Sequence, residues 1–276
     1  MTRESTSIFS EFETALLSGS ASDIAPLLTP DAVFEDAFFQ KPHRDGKHIA
    51  QLLATQLSCT PRRELIDTYR NSALAAFYLH QHIRGQHVEA MVVARLNAAG
   101  TLIQEIRYFA RRFAVLTLWR DACKTALRNV IPEEAWVPPA ITPDDGTLLP
   151  MKKTFPYAEN LVFHSPIMLQ PCVGREHAEH VLQRAGSVYG IRQYTPESID
   201  KSERNKLTFW DGAVGGVHPV HSTQILKWNE KKELEFIKAF FRPWEVTQGF
   251  VVAMRERLRG DVSEAWFDLE AKADAA

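Results

Sequence analysis

The sequence predicts an α+β chain built as a tandem repeat: two cone-shaped, curved antiparallel sheets, each packed on helices. Segment 85–122 lies on segment 216–253 without a gap, so that Gly85 meets Gly216, His87 meets His218, Ile106 meets Ile237, Arg107 meets Lys238, Phe109 meets Phe240, Arg111 meets Arg242, Phe113 meets Trp244 and Val115 meets Val246. Upstream the match resumes: Phe34 and Pro42 meet Phe163 and Pro171, then Gly46, Lys47 and Ala50 meet Gly174, Arg175 and Ala178. Between the copies, residues 129–157 hold Pro132, Pro138, Pro139, Pro143, Pro150 and Pro156, which neither a helix nor a central strand accommodates. At 276 residues and 45% apolar content the chain can fill two ordinary cores. The expected organisation is an N-terminal domain 1–128, a linker 129–157, and a C-terminal domain 158–276 that ends in a helix and tail.

The elements follow in order. Residues 5–17 read as an amphipathic helix and 21–28 as a second, with Ser20 and Ser22 as capping candidates. Residues 30–39, PDAVFEDAFF, are β-rich and begin after a turn signal, as does 159–165 in the second copy. After Gly46 and Gly174, apolar residues recur at helical spacing: Ile49, Leu52 and Leu53, then Ala178, Val181 and Leu182. Strands are expected at 73–84, 86–97 and 102–113 and at 206–214, 217–228 and 233–243. Arg84-Gly85-Gln86, Gly215-Gly216 and two Asn-led tetrapeptides (97–100 and 229–232) supply the turns. Closing helices are expected at 115–128 and 245–259, with Gly260 as a stop. The first two helices have no counterpart in the second copy. Long antiparallel strands with one helix across their concave face curl into a cone whose mouth suits a ligand.

Composition narrows the function classes. With 32 basic against 34 acidic residues, the chain carries no broad field for nucleic acid or an anionic membrane. No stretch reaches the roughly 18 apolar residues of a membrane span. The N-terminus carries acidic residues and lacks a long apolar run, so it does not read as a signal peptide, and the cytoplasm is the expected location. Cys59, Cys123 and Cys172 are odd in number and widely spaced, which fits neither a disulfide framework nor a thiolate metal site. No phosphate loop, nucleophile elbow or Cys-His nucleophile pair is visible. No cofactor and no metal are expected.

The segments DAVFEDAFFQKPHRDGKHIAQLL and VEAMVVARLNAAGTLIQEIRYF resemble the first strand, short second strand, glycine-led helix and last hairpin of the nuclear transport factor 2-like superfamily. That superfamily includes ketosteroid isomerase, limonene epoxide hydrolase, scytalone dehydratase and the SnoaL-like polyketide cyclases. LVFHSPIMLQPCVGREHAEHVLQ and ELEFIKAFFRPWEV resemble the SnoaL-like branch. The resemblance covers about 5–125 and 155–257. It specifies a fold more closely than a reaction, because this fold hosts enzymes and binding modules alike.

The resemblance implies a role for Asp36, which falls where the isomerase-like members keep a proton-shuttling carboxylate. Phe34, Phe38 and Phe39 would supply an apolar wall able to raise its pKa. The alternative is a strand-end residue satisfied by turn amides. Glu35 points to the other face by strand alternation. The isomerase's stabilising donors lack counterparts: the first helix offers Phe9 and Phe12 but no Tyr, and Val92 stands where the acid is sought. Glu105 and Arg107 do not reproduce the epoxide hydrolase's Asp, Arg, Asp set. His80, His82 and Tyr78 share one face of a strand with His87 next door, a face that serves equally well as pocket wall or as convex, solvated surface; His80, His82 and Tyr108 are nominated as auxiliary acid-base groups beside Asp36. Ligand contacts are expected from Phe34, Phe38 and Tyr78, and in the second copy from His164 and Trp210. There His164 or Ser165 replaces the strand-end carboxylate. The pairs His177/His180 and His218/His221 lack the further ligands that a metal needs. The recurring Arg107/Lys238 and Arg111/Arg242 suggest a structural task, and the aromatic run Tyr108, Phe109 and Phe113 with Phe240, Phe241 and Trp244 a packing surface.

The expected function is that of a SnoaL-like, cofactor-independent acid-base isomerase, cyclase or hydrolase acting on a hydrophobic carbonyl or epoxide compound in the N-terminal cone. The alternative is a non-catalytic small-molecule-binding or scaffold protein built as an intramolecular pseudo-dimer. The expected partner is a hydrophobic small molecule, and the chain is expected as a monomer with pseudo-dimeric domains or as a homodimer.

Overall fold

The computed structural model of the chain describes residues 5–140, 155–190 and 192–267. They form two compact units: the first runs to Ala110 and includes Val115–Val137, and the second holds Arg111–Ala114 and the chain from Pro138. No helix among the described residues is long and apolar enough to cross a membrane.

In the first unit, α1 (Ser5–Ser18) buries Ile8, Phe9, Phe12, Ala15 and Leu16, an apolar stripe at helical spacing. α2 (Ala21–Ile24) is shorter than the 21–28 expected, because a 3₁₀ turn over Ala25–Leu27 carries Pro26 and Leu28 is already extended. β1 (Leu28–Glu35) stops before residue 39, because the Asp36 carboxylate accepts the amides of Phe38 and Phe39, each at 2.8 Å, and turns the chain. β2 (His43–Arg44) returns against β1. α3 (Gly46–Ser58) starts at Asp45, whose side chain accepts the amides of Lys47 and His48. Ile49, Leu52, Leu53 and Leu57 form its buried stripe. The sheet runs β3 (Arg62–Arg70), β4 (Leu74–Ile83), β5 (Gln86–Leu96) and β6 (Ile103–Arg111), with β1 parallel beside β6. α4 (Phe113–Ala126) buries Val115, Leu116, Trp119 and Cys123.

The proline-rich stretch is not wholly a linker. A 3₁₀ turn at Glu133–Trp136 sets Trp136 into the first unit, 2% exposed, where its ring centroid lies 4.7 Å from that of Phe39. Burying that ring outweighs the prolines' effect on the chain. Residues 141–154, the middle of the expected linker, and the tail beyond 267 lie outside the described residues.

The same order of strand, short strand, helix, four strands and helix returns in the second unit: β7 (Tyr157–His164), β8 (Cys172–Val173), α5 (Arg175–Tyr189), β9 (Gln193–Ser202), β10 (Asn205–Val214), β11 (His218–Trp228), β12 (Leu234–Arg242) and α6 (Trp244–Arg257). β7 lies parallel beside β12, as β1 lies beside β6. Strand pairing corrects two details of the sequence alignment. Phe34 pairs with His43 as Phe163 pairs with Cys172, so the counterpart of Gly174 is Asp45 rather than Gly46. Both residues are N-caps, with φ 78° at Asp45 and 91° at Gly174, a conformation glycine adopts at no steric cost.

The second correction concerns β5. On the inner faces Gln81, Leu79 and Phe77 pair with Val88, Ala90 and Val92, whereas Gly212, Trp210 and Thr208 pair with Val220, Ser222 and Gln224. Val217 is thus an extra turn residue. The next turn compensates, because Asn97 closes on Leu102 but Asn229 closes on Glu233. The counterpart of His87 is therefore Pro219, not His218, and Glu89 corresponds to His221.

Candidate functional site

Strand alternation separates the nominated residues of the first unit into two groups. Phe77 meets Phe12 of α1, and Gln81 Nε2 donates to the Tyr108 hydroxyl, so the odd-numbered residues of β4 face the interior. Tyr78, His80 and His82 therefore face the other way. Asp36 and Tyr108 lie inside, and the expected convergence of His80 and His82 on them does not occur.

The interior group is polar and closed. Asp36, Gln56, Gln81, Tyr108 and Cys123 are each 0% exposed. Beyond its two turn amides, Asp36 accepts through Oδ2 from Gln56 Nε2 at 3.0 Å and from His43 Nε2 at 3.2 Å. The Gln56 carbonyl accepts from Trp119 Nε1 at 2.9 Å, which joins α3 to α4. Burial holds the Tyr108 phenol far above its ordinary range, so it stays protonated. Phe34 and Phe38 are buried, and Phe38 packs on Trp119 with ring centroids 4.9 Å apart. His43, at 15% side-chain exposure, connects Asp36 to the surface. On the same side, the Cys59 thiol is lowered to about 7 by its hydrogen bond with Cys123, against the opposing effect of burial, and burial pushes the Cys123 thiol up.

The second unit answers each of these positions differently. Ser165 stands for Asp36, Cys172 for His43, Ala185 for Gln56 and Ala239 for Tyr108. Ser165 Oγ accepts from Ile167 N, the same turn bond that Asp36 forms with Phe38 N. A hydroxyl therefore suffices to close this turn. The second oxygen of Asp36, with His43 and Gln56 on it, goes beyond that need.

The cavities of the second unit lie elsewhere. A groove of about 1030 Å³ is bounded by Phe155, Trp228, Asp200, Lys206, Arg204 and Glu230, among others. Phe155 also borders a small cavity of about 20 Å³, room for about one water-sized group, lined by Tyr157, Leu182, Arg192, Tyr194, Gln224, Leu226, Leu234 and Ile237. Arg192, half-buried, stands over the rings of Tyr194 (5.8 Å) and Trp210 (6.0 Å). The titratable groups around it are the phenols of Tyr189, Tyr194 and Tyr157, and no acidic side chain pairs with it among the described residues. Burial pushes the Tyr157 phenol up to about 12, which leaves it an O–H donor at neutral pH. Trp210 is 1% exposed and its indole N–H has no hydrogen-bond partner among the described residues. Its ring packs on Tyr189, centroids 4.8 Å apart. His164 sits on the other side of β7, against Phe236 and across from Lys238.

Sequence reasoning passed over His43, Gln56 and Arg192. Gln56 left a signal: it is the polar member of the stripe Ile49, Leu52, Leu53, Gln56 and Leu57. His43 left none, because β2 is two residues long.

No family model matches the sequence, and no curated protein matches it. Among solved structures, a steroid delta-isomerase from Pseudomonas aeruginosa aligns at 16% identity and a TM-score of 0.43, covering 46% of this chain and 93% of that one. A bacterial protein with a cystatin-like fold from Silicibacter pomeroyi aligns at 17% identity and a TM-score of 0.43, over 45% and 86% of the two chains. A protein assigned as a SnoaL-like polyketide cyclase from Shewanella putrefaciens aligns at 12% identity and a TM-score of 0.33, over 39% and 80%.

Proposed function

We propose that this chain is a small-molecule-binding protein of the nuclear transport factor 2-like kind, and that its C-terminal unit takes a compact, largely apolar molecule bearing a carboxylate. The observation that carries this reading is Arg192, which has no acidic partner among the described residues, lines the cavity with Tyr157 and stands over the ring of Trp210, whose indole N–H likewise has no partner among them. A guanidinium among aromatic faces gains from stacking but lacks a counter-charge. A ligand carboxylate would supply one, and would accept from the indole and phenol donors as well. The cavity, at about 20 Å³, has room for the carboxylate end alone, and the apolar body would lie in the larger groove, which Phe155 also borders. The expectation of a ligand in the N-terminal cone is not the better-supported one, because the groups there are fully enclosed and Asp36 already accepts from four donors, although the Oε1 atoms of Gln56 and Gln81 have no partner among the described residues. Fluorescence titration with hydrophobic carboxylates and their methyl esters tests the proposal. The acids bind at least about tenfold more tightly than the esters, and Arg192→Gln removes the preference. Equal binding of acid and ester by the native chain would sink it.

One observation favours a second reading, proton transfer at the surface of the N-terminal unit. Asp36 holds His43 in place with an oxygen the turn does not require, and His43 reaches the surface beside Phe39. In that reading Asp36 is a positioning residue and His43 exchanges the proton. For any substrate whose turnover is detected, His43→Gln would lower kcat with little change in KM. Unchanged kcat would exclude it.

A further inference from the structure

The residues that strand alternation turns away from the interior of the first unit form a second constellation. Cross-strand pairing sets Glu64, His80 and Glu89 in one row over β3, β4 and β5, and Arg62, His82 and His87 in the next. Because paired residues of neighbouring strands point to the same side, three imidazoles and two carboxylates share one patch. The His80 and His87 rings stack with centroids 4.3 Å apart, and His80 Nε2 lies 4.0 Å from Glu89 Oε2. The ligating atoms of His80, His87 and Glu89 all fall within 4.8 Å of one another. Tyr78 donates its hydroxyl hydrogen to Glu89 Oε2 and sits 3.1 Å from His80 Nε2.

We propose that His80, His87 and Glu89 form a binding site for a borderline divalent transition-metal ion, of which Zn²⁺ is the representative. Two imidazoles and one carboxylate are a donor set that suits such an ion and leaves a coordination position open. Stacked imidazoles repel when both are protonated, whereas an ion binds them neutral through their ring lone pairs. Metal–nitrogen bonds of about 2.1 Å require ligand atoms roughly 3.3 Å apart, so a bound ion would draw these three groups closer together. Tyr78 would steady Glu89, the outer partner that metal-bound carboxylates ordinarily have. His82 and its 3.7 Å contact with Glu64 flank the site. The second unit supplies an internal control. At the matching cross-strand position Asp211 and His221 are bonded at 2.7 Å, but Pro219 stands where His87 does, so the third ligand is missing.

The test is titration of Zn²⁺ into the full, untagged, chelator-stripped chain by calorimetry, with Mg²⁺ in parallel. The proposal predicts one equivalent bound with micromolar affinity or better, no binding of Mg²⁺, and a loss of at least about tenfold in His80→Ala and in His87→Ala. His221→Ala should bind as the native chain does. His80 and His87 are partly exposed, so both variants are expected to fold, and His87→Gln with circular dichroism guards against a folding artefact. Absence of Zn²⁺ binding at 100-fold excess, or native affinity in both histidine variants, would overturn it.

Discussion

Asp36 shows how one residue type can answer two demands. Its first oxygen closes the turn after β1, a task Ser165 performs alone in the other unit, and its second oxygen is committed to His43 and Gln56. Asp36→Ala strands four donors in a closed interior and should cost about 3 to 5 kcal/mol by urea denaturation. The triple variant Asp36→Ser, His43→Cys, Gln56→Ala copies the set that the second unit uses, and should be less destabilised than the single one. A triple variant at least as unstable as Asp36→Ala would show that the two interiors are not interchangeable. Cys59 gives a pH-dependent readout nearby. Because the hydrogen bond with Cys123 lowers its thiol to about 7, its alkylation rate should rise with a midpoint near that pH, and Cys123→Ala, which removes the donor, should move the midpoint upward. The sign of the linkage follows: a depressed thiol pKa adds stability above the range of the unfolded thiol and loses it as pH falls through about 7. An alkylation midpoint unaffected by Cys123→Ala would contradict the assigned cause.

At the scale of elements, the glycines that look alike in sequence do different work. A Cβ on Gly46 would lie 2.5 Å from the Thr29 carbonyl oxygen, so the start of α3 rests directly on the β1 backbone. Gly46→Ala should destabilise the first unit by about 1 to 3 kcal/mol through overpacking. Gly186, inside α5, has nothing within 4 Å of its would-be Cβ, and Gly186→Ala should stabilise by about 0.5 to 1 kcal/mol. Thermal denaturation of both variants checks the contrast, and equal shifts would contradict it. The long hairpins and both central helices were legible in the sequence, because hydrophobic period and turn glycines act locally. Three features were not. β3 and β9 carry few apolar residues and offer weak alternation. The extra turn residue Val217 is cancelled one turn later, so an ungapped alignment hides it. The turn at Asp36 depends on a side chain that accepts amides two and three residues ahead, which strand propensity over PDAVFEDAFF does not report.

For the whole molecule, two units of one fold have diverged in what they enclose. The first encloses a polar network built on Asp36, Gln56, Gln81 and Tyr108, and presents histidines on the opposite side of its sheet. The second has lost those partners together and carries Arg192 and Tyr157 at its cavity instead, with Arg192 over the ring of Trp210. The sequence repeat located the units but could not tell which interior is open to a ligand, because that depends on whether buried polar groups find partners in three dimensions. Hydrogen exchange of the full chain with and without a bound hydrophobic carboxylate tests this division most directly. The account predicts that protection rises at 189–194 and 224–237 and leaves 34–58 unchanged; protection confined to 34–58 would contradict it.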